Sequence, residues 1–352
     1  MTATKVLKST FFVLGFICLI IFILARINNG LKILIDPEID NTGDLYKQSS
    51  ITNFREILPD KAVLPNNVKK SEFYTHKEGH PYVSDAEILT FGDSYFYFTR
   101  FTSFPEYLSL KTNKKVFFAA EANPFYTLKH ENYSAGQSKY LIYETGERGI
   151  FERFKSKLNI DTATREEIRT NTFIIREPGE VEKIYSRFFQ LGYFTWQINE
   201  YINTFKFQYL DYINEATPVY STDPPMLFYR TTVNSLPGSY QYDYSEAELN
   251  DIAENISYMN DMLDSLYNLK LVFMPVPNKI SIYDTTTELK EYNMLLPKLY
   301  EKLDKKGIEF IDLYHPFKRN NELLYYRTDT HWNEQGMKKA CNILVDKYII
   351  YD

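Results

Sequence analysis

The polar and apolar positions of this chain fall into three regimes. The first is residues 9 to 25, STFFVLGFICLIIFILA, which no charge interrupts. At about 1.5 Å per helical residue, roughly 17 to 20 residues cross a hydrocarbon core about 30 Å thick. The run is apolar on every side, which suits lipid better than a half-buried soluble helix. Lys5 and Lys8 precede it and Asp36, Glu38 and Asp40 follow, favouring an N-terminus inside. Leu24-Ala25-Arg26 offers no small-residue cleavage site, and Phe16-Ile17 before Cys18 does not suit a lipoprotein signal. The pattern predicts a cytoplasmic tail over 1–8, a retained signal anchor over 9–26, and the remainder in the periplasm or outside the cell.

The second regime, residues 27–85, is polar and carries Pro37, Pro59, Pro65 and Pro81. It reads as a stalk and an irregular entry segment. In the third, short apolar runs alternate with helical patterns. Ile88 to Phe91, Val116 to Ala120, Tyr140 to Tyr143, Leu271 to Met274 and Ile308 to Ile311 read as strands. Several are continuously apolar, as strands covered on both faces are. Helical spacing such as Met294, Leu295, Leu299 and Leu303 separates them. This alternation predicts a three-layer α/β domain over 86–352 built on a parallel sheet. Residues 151–262 break the rhythm and predict a mostly helical insertion. Its Tyr229, Tyr240, Tyr242 and Tyr244 suit either a groove lining or a packed loop.

Composition narrows the class. The chain has 352 residues, 44% hydrophobic and 24% charged, which is an ordinary folded balance. Its net charge is −6 and it has no Lys/Arg-rich block, so a nucleic-acid partner is not expected. Tyr (30) and Phe (26) far outnumber Trp (2); such rings fill cores and also stack on sugars. Cys18 lies in the apolar run and Cys341 in a late helix, so no disulfide is expected between them. His76, His80, His130, His315 and His331 show no zinc-ligand spacing, and neither a metal nor a cofactor is expected.

Two blocks carry candidate chemistry. The first predicted strand runs into Gly92-Asp93-Ser94, the position where open α/β sheets place ligands. A helix starting near Tyr95 would aim its amides at whatever Ser94 attacks. Taken alone, Ser and Asp there also suit a helix N-cap. The second block is Arg327-Thr328-Asp329-Thr330-His331-Trp332-Asn333, before a helix with Met337, Cys341, Leu344 and Tyr348 on one face and Asn333 as its N-cap. Asp329 two residues before His331 can fix the imidazole while its outer nitrogen takes a serine proton. Alone, an Asp-x-His is as well explained by a structural or metal role. In a doubly wound sheet both blocks can meet at one edge.

This layout resembles the SGNH hydrolase/acyltransferase superfamily, with a Gly-Asp-Ser block opening the domain and an Asp-His block closing it. Asp329-Thr330-His331-Trp332-Asn333 with Gly336 resembles more narrowly the alginate O-acetyltransferase-like (AlgX/AlgJ) branch. Tyr143-Glu144-Thr145-Gly146-Glu147-Arg148 and Pro275-Val276-Pro277-Asn278-Lys279 add to that likeness. The order, serine block first, is that of ordinary SGNH enzymes and of the D-alanylation protein DltD. The resemblance implies a flavodoxin-like fold and a Ser94–His331–Asp329 triad. It also implies O-acetylation of an exopolysaccharide or cell-wall glycan, with a multispan membrane O-acyltransferase as acyl donor. No Gly-x-Asn-Asp block supplies the usual Asn oxyanion donor; Asp93, Arg148 and Asn278 are the candidates for oxyanion or substrate contacts, with Glu147 beside them. A carbohydrate esterase and a non-catalytic scaffold of polysaccharide synthesis are the alternatives.

Overall fold

The structure is a computed structural model. It describes residues 12, 13, 15, 16, 42–58, 73–75, 83–97, 102–120, 123–134, 138–158, 193–213, 219–222, 225–233, 236–283, 289 and 291–348. Most of the run expected to anchor the chain lies outside these residues. Phe12, Val13 and Phe16 are exposed. Among the described residues no helix is long and apolar enough to cross a membrane.

In chain order the elements are α1 (Asp44–Ser49), β1 (Phe73–Thr75), β2 (Ile88–Phe91), α2 (Ser94–Tyr97), α3 (Phe104–Thr112), β3 (Val116–Ala119), α4 (Pro124–His130), β4 (Tyr140–Gly146) and α5 (Ile150–Phe154). There follow α6 (Tyr193–Leu210), β5 (Val219–Thr222), β6 (Pro225–Phe228), α7 (Glu246–Tyr267), β7 (Lys270–Val276), α8 (Lys279–Ile282), α9 (Leu295–Lys305), β8 (Glu309–Phe310), α10 (Tyr314–Lys318) and α11 (Glu334–Tyr348).

Six strands form one parallel sheet in the order β1-β3-β2-β4-β7-β8, and β5 pairs with β6 in a separate antiparallel hairpin. All five apolar runs read as strands lie in the large sheet. Without the short β1, the order is that of a flavodoxin-like doubly wound sheet, whose topological switch point falls between β2 and β4. The longest pairing, β4 with β7, runs from Tyr140↔Lys270 to Gly146↔Val276. It puts Tyr143 opposite Phe273, with ring centroids 6.4 Å apart. Every residue of β2 and β3 is buried. Helices α3 and α11 pack together on one side, and α7 packs with α5, α9 and β7 on the other.

Two expectations change in detail. The late part of the predicted insertion is α7, whose apolar stripe of Leu249, Ile252, Ile256, Met259 and Leu263 is buried against the sheet. It is the crossover helix between β4 and β7, started by a capping box of Ser245 and Glu248 and stopped by Asn268 in the left-handed region. The described insertion also contains the β5–β6 hairpin. Among its tyrosines, Tyr240 is buried against Tyr292, and Tyr242 and Tyr244 pack on Phe151, so these three belong to a packed loop. Second, residues 42–58 of the segment read as stalk and entry pack onto the domain. Leu45, Tyr46, Ile51 and Phe54 are buried and form a cluster with Leu227 of β6.

Candidate functional site

The turn after β2 is built around a buried carboxyl. Asp93 N–H donates to Glu144 Oε2 at 2.7 Å. A Cβ on Gly92 would come within 2.5 Å of that same oxygen, so only glycine fits over Glu144. Asp93 Oδ1 accepts from Tyr95 N at 3.2 Å, and Oδ2 accepts from Arg153 at 3.0 Å and Gly146 N at 3.4 Å. Burial pushes the Asp93 carboxyl up, but Arg153, the Tyr95 N–H and Glu144 outweigh it and hold it below its usual range. Glu144 is driven well above its usual range by burial and by the charge of Asp93. Ser94 follows this fixed turn as the first residue of α2, half-buried at the switch point.

The second block is an extended loop whose polar groups are accounted for almost atom by atom. His331 N donates to Asp329 Oδ1 at 3.0 Å, and His331 Nδ1 lies 2.7 Å from the same oxygen. An ionised Asp329 only accepts, so in the neutral imidazole it is Nδ1 that carries the proton and Nε2 the lone pair. Burial raises the Asp329 carboxyl, but its bonds and charge interaction with His331, and the Asp44 N–H, hold it below its usual range. Lys279, the buried first residue of α8, donates to Tyr326 O at 3.1 Å, Arg327 O at 3.0 Å and Asp329 O at 2.7 Å. Burial lowers Lys279 to about 8, opposed by Asp44, Asp329 and Glu56.

The remaining anchors come from the N-terminal segment and the hairpin. Leu45 N and Tyr46 N donate to Thr328 O at 3.0 and 3.2 Å. Glu56 Oε2 accepts from Thr328 N at 2.9 Å and from its hydroxyl at 2.8 Å. Asp44 N donates to Asp329 Oδ2 at 3.0 Å, while the Asp44 carboxylate accepts from Thr330 N at 2.9 Å and Thr330 Oγ1 at 2.8 Å. Leu227 N of β6 donates to Arg327 O at 2.9 Å.

Tyr95 joins the two blocks. Its hydroxyl donates to Thr330 O at 3.1 Å, and its ring meets His331 edge-on at 5.3 Å and Trp332 at 5.2 Å. Trp332 is fully buried and packs on Phe104 of α3. Asn333 caps α11 as expected, its Oδ1 accepting from Gly336 N at 3.0 Å. Ser94 therefore lies on the same edge as the Asp329–His331 pair. Among the described residues no hydrogen bond joins the Ser94 hydroxyl to His331.

A rival pair escaped the sequence reading. Asp312 and His315 also meet, Oδ2 to Nδ1, at 2.7 Å, with Asp312 Oδ1 accepting from His315 N at 3.0 Å. Their side chains are 36% and 44% exposed, against 6% and 15% for Asp329 and His331. The ring neighbours of His315 are Tyr300 of α9 and Tyr314 of α10, whereas His331 meets the residue after Ser94. Of the two pairs, Asp329–His331 is the one beside the Ser94 turn.

The other candidates are held as follows. The Asp93 carboxylate is occupied by the turn described above. Asn278 is buried, gives its N–H to Glu147 Oε2 at 2.8 Å and its side-chain amide to Gly238 O at 3.3 Å. Glu147 also accepts from Ser281 at 2.7 Å and Tyr292 at 2.6 Å. Arg148 is half-buried with its guanidinium 5.3 Å from the Tyr229 ring, and of the three it has the freest donors. Sequence reasoning missed Arg153, Lys279 as a donor, Asp44 and Glu56. Only Lys279, in Pro-Asn-Lys after a buried strand, carried a local signal. Oxygen or nitrogen atoms of Asp44, Asp329 and His331 lie within 4.8 Å of one another, but they are engaged in the hydrogen bonds above.

The flavodoxin-like sheet thus carries Ser94 at its switch point, with the Asp329–His331 pair linked to that turn through Tyr95. The family model for the SGNH hydrolase-like domain of acetyltransferase AlgX matches residues 227–348, from β6 through α11. The resemblance to the SGNH/AlgX branch thus holds over the stretch that contains Asn278, Lys279, Asp329 and His331. No curated protein and no solved structure matches the chain.

Proposed function

We propose that this protein is a membrane-anchored, extracytoplasmic O-acetyltransferase that moves an acetyl group through Ser94 to hydroxyls of an exopolysaccharide or cell-wall glycan. The observation that carries this is the Asp329–His331 pair, oriented through Nδ1 and linked by Tyr95 to the Ser94 turn. The AlgX family match supports acetyl transfer as the chemistry. In the first half-reaction Ser94 Oγ bonds to the acyl carbonyl carbon and its proton passes to His331 Nε2. The tetrahedral adduct then collapses, and the leaving group departs with that proton. In the second, a sugar hydroxyl attacks the acyl-serine, gives its proton to His331, and Ser94 takes it back as the ester leaves. The Ser94 N–H, with Arg148 nearby, is the oxyanion donor of this reading, because the Tyr95 and Phe96 N–H groups donate to Asp93. One such donor is worth about 3 kcal/mol of barrier.

The acyl group would come from a multispan membrane O-acyltransferase, with the 9–26 segment holding the enzyme beside it. The test is Ser94→Ala in the full chain, scored by glycan O-acetylation at matched protein level. Acetylation should fall to background. Unchanged acetylation would leave a scaffold role. Release of acetate from acetylated glycan, without transfer, would mark an esterase using the same residues.

A further inference from the structure

A further support of the Asp329–His331 pair lies outside the matched residues 227–348, in α1. We propose that Asp44 is a positioning residue of this site, through which the segment after the apolar N-terminal run sets the direction and charge of the His331 base. This rests on the acyl-transfer reading above.

Three observations carry it. The first is reciprocity. Asp44 gives its N–H to Asp329 Oδ2, and its carboxylate takes both the N–H and the hydroxyl of Thr330, the residue between Asp329 and His331. Asp329 is thereby kept from turning, so that Oδ1 faces His331 N and Nδ1. The second is fit. A Cβ on Gly43 would lie 2.1 Å from Thr328 O, so the segment approaches the loop as only glycine allows. The third is continuity. Thr330 is held from one side by Asp44, and its carbonyl is held from the other by Tyr95, next to Ser94. Asp44 thus ties α1, the Asp–His loop and the serine turn together.

Charge acts in the same direction. The groups facing the imidazole and Asp44 are Asp329, the edge of Tyr95, and Lys279 beneath the loop, with Glu56 beyond it. Asp44 adds a second carboxylate beside the ring, which favours the imidazolium formed during each proton transfer. Burial and the charge of Asp329 raise the Asp44 carboxyl above its usual range, so this contribution is complete only once Asp44 has ionised.

The experiment compares the full-length protein with Asp44→Ala, Asp44→Asn and Ser94→Ala, using p-nitrophenyl acetate as the acyl donor. Asp44→Ala should lower kcat by about 10- to 100-fold with KM moved less than about twofold, the signature of a misplaced catalytic group. Asp44→Asn keeps an acceptor for Thr330 N–H and should recover much of kcat. It should also move the acid limb of the pH profile to lower pH, because a negative charge beside the base is lost. Amide exchange at Thr330 and His331 should quicken in Asp44→Ala. Wild-type kcat and an unmoved acid limb in both variants would overturn the proposal. So would a lower melting temperature with unchanged kcat per active site. If Ser94→Ala hydrolyses the ester as well as wild type does, the acyl-transfer reading fails instead. Exchange at Thr330 and His331, which needs no turnover, then decides whether Asp44 holds the loop.

Discussion

Glu144 near the end of β4 and Glu147 just beyond it are both buried, and their partners differ. Glu144 has one oxygen bonded to Asp93 N and the other without a partner, and burial and the charge of Asp93 raise it well above its usual range. Glu147 is raised to about 7 by burial, against three donors from Tyr292, Asn278 and Ser281 that favour its charged form. Its folded value lies above the unfolded value of 4.5, so the folded state holds the proton more tightly. The stability this gives is full below about pH 4.5 and is lost as pH rises to about 7. The shift corresponds to roughly 3 kcal/mol. A Gln side chain can present its oxygen to Asn278 and Ser281 and its amide to Tyr292. Glu147→Gln should therefore flatten the fall in denaturant-measured stability between pH 5 and pH 7.5. An equally steep fall in the variant would remove Glu147 as its source.

At the scale of elements, β7 and α8 exist in this register to deliver one amine. Asn278 turns the chain after β7, and Lys279 then points its Nζ at three carbonyls of the Asp–His loop. A guanidinium is planar and cannot converge on three carbonyls in the same way, so arginine is a poor replacement. Lys279→Met keeps the apolar stem and removes the donors. Arg327 O keeps the Leu227 N–H, but Tyr326 O and Asp329 O lose the Lys279 bond. A buried carbonyl that loses a donor costs up to about 1–3 kcal/mol. Urea denaturation should show a loss of about 2–5 kcal/mol with the m value unchanged. Loss within about 0.5 kcal/mol would mean water replaces the amine at no cost. The strands that carry these elements were legible from sequence because fully buried parallel strands are written as unbroken apolar runs. The role of α7 was not, because an amphipathic helix has the same pattern whether it crosses over a sheet or sits in an insertion.

Across the whole molecule, the site is assembled from stretches nearly three hundred residues apart. Asp93-Ser94 and Asp329-His331 stood out in the sequence as candidates because each is a local pattern: a glycine turn after a strand, and a carboxylate two residues before an imidazole. Asp44 and Glu56 were not, because their meaning comes only from contacts 285, 286 and 272 positions away along the chain. Read by itself, Thr-Gly-Asp-Leu-Tyr-Lys is a polar connector. Two truncations separate those readings. A chain begun at Thr42 keeps α1, Glu56 and the cluster of Leu45, Tyr46, Ile51 and Phe54 with Leu227. A chain begun at Leu58 loses all of these, yet retains the main core, to which Leu58 itself belongs. The sheet and its crossover helices draw on that main core, so both chains should show a cooperative thermal transition. Their activities should differ. The chain from Thr42 should hydrolyse a small acetyl ester as the full protein does. The chain from Leu58 should be slower by roughly 100-fold, the scale on which a misplaced base fails. It should also lose amide protection at Thr328 and Thr330, whose N–H groups donate to Glu56 and Asp44. Equal rates from the two would show that the sheet and Lys279 suffice to hold His331, and that residues 42–57 only cover the surface.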